Sequence, residues 1–310
     1  MRLTGFCGAI ALLVLSGFVR AEQAGWTLFE RVQYAVSHYN FDVSFVVIKG
    51  NQTDTYRWLH GQLQDTEIEH LVPLDTSGVD ILRRDNHIYY LLTDRPAFVT
   101  DGTSIKELPA LLFENKQRIA ELYDAVVGSN STMSGRNAQL LRLTALQAGR
   151  YSYWLWIDAE SGFPLRIDTI SEQQNPLERW LVTHMQITPE LPSNLQALAE
   201  AELPAAVPVT LSEQASANDA YQLSWLPSGY RVIPEPVDLR QQQPALLGYW
   251  LLTDGLHQVS VFVQKSQSMP AQAYRDGATT IYVQSNEQLE VTVIGPVSIE
   301  TARQLAMAVR

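Results

Sequence analysis

The stretch Arg150-Tyr-Ser-Tyr-Trp-Leu-Trp-Ile-Asp158, continued by Ala-Glu-Ser-Gly-Phe-Pro-Leu-Arg-Ile-Asp168, decides the fold. Two strand-like segments flank a turn that carries Ser161, Gly162 and Pro164, the residues that punctuate a β-connection. In a strand, successive side chains alternate between faces, so Tyr151, Tyr153, Leu155 and Ile157 share one face and Trp154 and Trp156 the other. A strand that is aromatic on both faces calls for a cover on each, and a curved antiparallel sheet supplies them. One cover is a packed helix, the other a core or a ligand cavity. The charged ends Arg150, Asp158, Arg166 and Asp168 suit the rims of such a sheet.

The remaining chain repeats this pattern. Trp26, Leu28, Phe29, Val32, Ala35 and Val36 recur at helical spacing, which predicts an amphipathic helix over 26–38. Strands are predicted at 41–48, 53–60, 67–71, 79–83, 87–92 and 97–100, with short helical pieces over 108–123. Further strands follow at 139–146, 151–157, 165–170 and 178–187. Hairpins with helical inserts, rather than alternating strand and helix, indicate an antiparallel sheet. Leu195–Ala206 reads as a short helix running into a loose segment, and Pro204, Pro208 and Ser212–Asp219 have linker composition. Beyond it, two hairpins (248–253 with 256–264 across Asp254-Gly255, and 278–284 with 290–294) precede a terminal helix over 297–309. The fold class is therefore α+β, with residues 22–204 as a large domain, 205–220 as a linker and 221–310 as a small α+β domain.

Residues 1–21 read as a secretory leader, with Arg2, an apolar run from Phe6 to Leu15 and Val19-Arg20-Ala21 before Glu22. That run is too short for a spanning helix, so a soluble exported protein is expected. The single cysteine, Cys7, lies inside the leader, leaving no disulfide in the mature chain, as a bacterial periplasm tolerates. Loss of Arg2 and Arg20 takes the formal charge from −11 to about −13, which excludes nucleic acid as a partner.

Catalytic signatures are missing. The sequence holds no Gly-x-Ser-x-Gly elbow, no His-Glu-x-x-His, no phosphate-binding glycine loop and no Cys-x-x-Cys. Glu67, Glu69 and His70 could be pictured as metal ligands, but a solvated edge strand explains them better, and no metal or cofactor is expected. Asp158, Glu160 and Asp168 could be pictured as glycosidase carboxylates, although sequence does not fix their separation. Asn130-Ser-Thr132 matches a glycosylation acceptor by composition alone. Arg83-Arg84 reads either as a solvated turn or as an anion contact at the mouth of the sheet. Walls of a dry, apolar cavity are assigned to Phe45, Val47, Tyr89, Leu91, Tyr153 and Leu155. Trp250 and Tyr282, on the second domain's hairpins, are assigned as anchors for a partner.

The ordered set Arg150-Tyr-Ser-Tyr, Trp156-x-Asp158-x-Glu160-Ser161, Pro164-x-Arg166-x-Asp168, Trp225-Leu-Pro-x-Gly-Tyr230, Asp254-Gly255-Leu and Glu290-Val-Thr-Val-Ile-Gly295 resembles the RseB/MucB family of periplasmic regulators. The resemblance implies an unclosed antiparallel β-barrel like those of the lipoprotein carriers LolA and LolB, covered by helices, with a small domain after it. It also implies binding to the periplasmic part of an inner-membrane anti-sigma factor in the sigma-E envelope-stress response, shielding it from site-1 proteolysis. Release by lipopolysaccharide or lipoprotein acyl chains follows from the same likeness, and a homo-oligomer is compatible with it. The alternative is a carrier of the LolA type, against which the second domain counts; an enzyme is disfavoured for want of a nucleophile–base set.

Overall fold

The computed structural model describes residues 7–75, 79–92, 94, 96–203, 207–208, 220–234, 245–268 and 270–310, with side chains from residue 23 onward except at 207–208. Helix α1 (Cys7–His38) runs without a break from the expected leader into the predicted 26–38 helix. Twelve strands follow in the first sheet: β1 (Asn40–Lys49), β2 (Gln52–Leu63), β3 (Thr66–Pro73), β4 (Asp80–Arg84), β5 (His87–Leu91), β6 (Phe98–Asp101), β7 (Tyr123–Met133), β8 (Arg136–Ala145), β9 (Ser152–Asp158), β10 (Pro164–Ile170), β11 (Pro176–Thr188) and β12 (Val207–Pro208). Their spatial order is β12-β6-β5-β4-β3-β2-β1-β11-β10-β9-β8-β7, so the sheet keeps two free ends and is unclosed. All its pairings are antiparallel except the short β12–β6 contact.

A second sheet holds β13 (Arg231–Ile233), β14 (Leu246–Thr253), β15 (Gln258–Lys265), β16 (Gln272–Asp276), β17 (Thr279–Ser285) and β18 (Leu289–Gly295), in the order β13-β14-β15-β18-β17-β16. Helix α4 (Ile299–Met307) covers it, with Ser298 as N-cap accepting from the Thr301 N–H at 3.1 Å. The linker expected at 205–220 lies outside the described residues, save Val207–Pro208, which pair with Phe98 and Val99, and Ala220. Among the described residues no helix is long and apolar enough to cross a membrane.

The concave side of the first sheet is filled. Leu28, Phe29, Val32, Ala35 and Val36 of α1 are buried, the four larger ones each contributing roughly 1.5–3 kcal/mol before chain entropy is charged against it. They join Phe41, Trp58, Ile119, Tyr153, Leu155, Ile157 and Phe163 in one apolar cluster. A 3₁₀ turn at Ala110–Leu112 and the short α2 (Lys116–Ala120) contribute Leu111, Leu112 and Ile119 to it. On the opposite face of β2–β4, α3 (Ser193–Glu200) buries Leu195 against Leu59, Ile68 and Leu82.

Three expectations change. Residues 123–133 form β7, an edge strand paired with β8, where helix had been read up to 123 and nothing beyond it; its outer half is polar and exposed, so no apolar alternation marks it. The strand β16 was also unread, because its first three residues are exposed. On β5 the faces are opposite to the assignment. Ile88 and Tyr90 point to the main core, while Tyr89 and Leu91 pack against α3, because one step of register moves every side chain to the other face.

Candidate functional site

Three sequence motifs separated in the chain meet where the two sheets abut. Arg150, two residues before β9, points its guanidinium at Asp254 in the β14–β15 turn, and both side chains are buried (5% and 0% exposed). Arg150 Nη2 also donates to the Ser228 carbonyl at 2.8 Å, and the guanidinium lies 5.9 Å from the Tyr123 ring centre and 5.5 Å from that of Tyr230. The other carboxylate oxygen of Asp254 accepts from the N–H groups of Leu256 (2.9 Å) and His257 (2.8 Å), which fixes the hairpin tip. Arg118 of α2 donates to the carbonyls of Asp254 (3.2 Å) and Gly229 (3.0 Å). Tyr151 donates to the Val297 carbonyl at 2.7 Å, before α4. Gly255 sits at φ +99°, a backbone that only glycine adopts freely.

Tyr153, His257 and Asp254 form a chain across the same boundary. His257 Nδ1 faces the Asp254 carboxylate at 3.4 Å, leaving Nε2 to accept from the Tyr153 hydroxyl. Burial pushes the Tyr153 hydroxyl well above its ordinary range, so it stays protonated and offers no nucleophile. Burial also works against the Asp254 charge, but His257 and Arg150 more than offset it and hold the carboxyl below its ordinary range. This chain fixes geometry.

Beside the tip lies a cavity of about 380 Å³. Its lining combines apolar Val47, Ile167, Trp180, Tyr153 and Leu256 with charged Lys49, Asp54, Lys106, Glu107 and Glu178. Lys49 pairs with Glu178 at 3.1 Å, and burial raises the Glu107 carboxyl. The cavity is therefore amphiphilic, not the dry, apolar chamber that the strand pattern predicted. Small-domain residues Ala278, Thr279 and Pro296 also line it, so it belongs to both domains.

Of the assigned wall residues, Val47 and Tyr153 line this cavity. Phe45 and Leu155 pack the core; Phe45 stacks on Tyr56 with ring centres 5.4 Å apart. Tyr89 and Leu91 lie on the α3 side, away from it. Arg83 and Arg84 are both engaged within the large domain. Arg83 is buried and holds Glu69 (2.8 Å) and Glu67 (2.6 Å), while Arg84 donates to the Leu198 and Ala201 carbonyls at the end of α3. Tyr282 is buried in the small-domain core, and Trp250 packs half-buried against that core.

The acidic clusters are paired with internal cations, while Glu69 Oε1 is buried without a hydrogen-bond partner. His60, Glu67 and Glu69 place ligand atoms within 4.8 Å of one another. The Arg83 guanidinium already bridges both carboxylates, and both His60 nitrogens face oxygens, the Tyr39 carbonyl at 2.7 Å and Glu67 at 3.1 Å. Burial disfavours the Glu67 charge, yet His60 and Arg83 hold its carboxyl down at about 2. Asp158 is held by Arg136 and Ser161, and Asp168 by Arg166 and Arg179, which lower both carboxyls despite burial. Neither is the raised-pKa acid that glycoside cleavage requires.

Models of the MucB/RseB N-terminal domain and the MucB/RseB C-terminal domain match residues 25–207 and 215–310. The chain belongs to the MucB/RseB family. Among relatives, the sigma-E factor regulatory protein RseB of Salmonella typhimurium is 28% identical over 305 residues, 97% of this chain and 95% of the relative. The sigma factor AlgU regulatory protein MucB of Pseudomonas aeruginosa is 25% identical over 308 residues, covering 97% and 94%. The solved complex of Pseudomonas aeruginosa MucA/MucB superposes with a TM-score of 0.67 at 22% identity, over 93% of this chain and 98% of that one. At that identity the superposition speaks for the fold. Within this MucB/RseB chain, the motifs around Arg150, Tyr230 and Asp254 are the ones that build the domain boundary.

Proposed function

We propose that this protein is a periplasmic regulator of an envelope-stress sigma factor that acts by binding and not by catalysis. It holds the periplasmic segment of an inner-membrane anti-sigma factor and shields it from site-1 proteolysis. A lipid, such as lipopolysaccharide or the acyl chains of a mislocalised lipoprotein, enters the cavity and weakens that hold. Membership of the MucB/RseB family over both domains supports the regulatory reading. The amphiphilic cavity lined by both domains is the observation that carries the lipid part. Its apolar lining suits an acyl chain and Lys49 and Lys106 suit an anionic head, although the chain as a whole is acidic. A simple carrier of the LolA type fits less well, because a second domain occupies the mouth through Leu256. The test is cleavage of the anti-sigma factor's periplasmic segment by the site-1 protease, with and without the mature chain. Protection that lipopolysaccharide relieves supports the proposal; equal cleavage in both samples refutes it.

A further inference from the structure

The β14–β15 tip belongs to the small domain by sequence and to the large one by contact. Leu256 is 8% exposed and sits in the apolar cluster built by α1 and the first sheet. With His257 it forms part of the cavity wall beside Tyr153. We infer that this tip is a plug, an internal occupant that an apolar ligand must displace, so that ligand uptake and unlatching of the two domains are one event. The inference rests on the reading of the cavity as a lipid site.

Three observations carry it. First, the tip is braced as one unit, because one Asp254 oxygen holds the backbone of both Leu256 and His257. Withdrawing Leu256 from the wall therefore takes His257 off Tyr153 and Asp254 off Arg150. Second, the tip rests on the large domain: Arg118 donates to the Asp254 carbonyl at 3.2 Å, and a Cβ at Gly255 would lie in ordinary contact with Glu114 and Arg118. Third, about 380 Å³ lies near the small end of the usual ligand pockets, roughly 300–1,000 Å³. A long acyl chain needs the space that Leu256 holds. A ligand that prefers the unplugged form shifts the domains toward it, and one without that preference shifts nothing.

The only cysteine, Cys7, lies in the expected leader, so single cysteines can be placed in the mature chain without interference. Leu146 in the large domain and Met307 in the small one are 48% and 56% exposed and accept spin labels. The inter-label distance is measured with and without a fluorescent C16 fatty acid, whose affinity is titrated in parallel. The fatty acid should lengthen or broaden the distance in the parent chain. Leu256→Ala should bind it at least tenfold tighter, about 1.4 kcal/mol. Asp254→Asn keeps an oxygen for the turn but loses the ion pair, and should tighten binding in the same direction. Binding by the two variants alone would also support the plug. A parent chain that binds with no change in distance, and variants with unchanged affinity, would overturn the plug and leave the lipid site standing. Binding by none of the three would overturn the lipid site itself, and the plug with it.

Discussion

Arg150 and Asp254 are 104 positions apart, and both are buried and charged. Removing one member of a buried pair strands the other, at a cost of about 3–5 kcal/mol. Asp254→Ala should therefore lower unfolding stability by about 3–5 kcal/mol in urea titration, whereas Arg136→Ala, at a pair with one half-exposed member, should lose less. The pH dependence follows in sign. Asp254 sits below its ordinary 3.8 in the folded protein, so its contribution is complete above about pH 4 and is lost as pH falls below that. Domain separation, followed by the inter-label distance, should begin below pH 4 and not on the alkaline side. Tyr123, Tyr153 and Tyr230 face the same pair and are all pushed up by burial, so they stay neutral throughout the neutral range. Sequence showed Arg150 and Asp254 as members of motifs but could not pair them, since the meeting depends on how two sheets dock. Arg83 was legible in principle: the β3–β4 register places Glu69 opposite it, so a buried cross-strand ion pair follows once that hairpin is drawn.

Two close approaches set the elements in place. A Cβ at Gly25 would come within 2.2 Å of the Ala125 carbonyl oxygen, so α1 can lie on β7 only because residue 25 has no side chain. Gly25→Val should lift the helix, and hydrogen exchange in β7 and β8 should rise several-fold while the second sheet is unaffected. Gly149, at φ +85°, faces Thr301 Oγ1, with a Cβ position only 2.3 Å away. Gly149→Ala should lower thermal stability, and Gly149→Ala with Thr301→Gly should recover the steric part but not the backbone strain. At this scale much of the chain could be read from the sequence. The Gly50-Asn51 and Asp254-Gly255 turns announce their hairpins, and the 3.6-residue spacing of Leu28, Phe29, Val32 and Val36 announces α1. β7 could not be read, because Asp124, Ser129, Asn130, Ser131 and Thr132 give a solvated edge no apolar pattern. β5 was read as a strand but with its faces exchanged, which alternation alone cannot decide when both faces are apolar.

For the whole molecule, the central claim is that one boundary links two binding events. Reciprocity is then required: whatever factor a lipid takes from the affinity for the anti-sigma segment, the segment takes from the affinity for lipid. A tenfold factor needs only about 1.4 kcal/mol, well below what the Arg150–Asp254 pair is worth by loss of one partner. The direct measurement is calorimetric titration of the mature chain with the anti-sigma periplasmic segment, in the absence and presence of saturating fatty acid, with the converse titration alongside. At least tenfold weakening is expected in both directions, by equal factors. Segment affinity unchanged by a fatty acid that demonstrably occupies the cavity would contradict it.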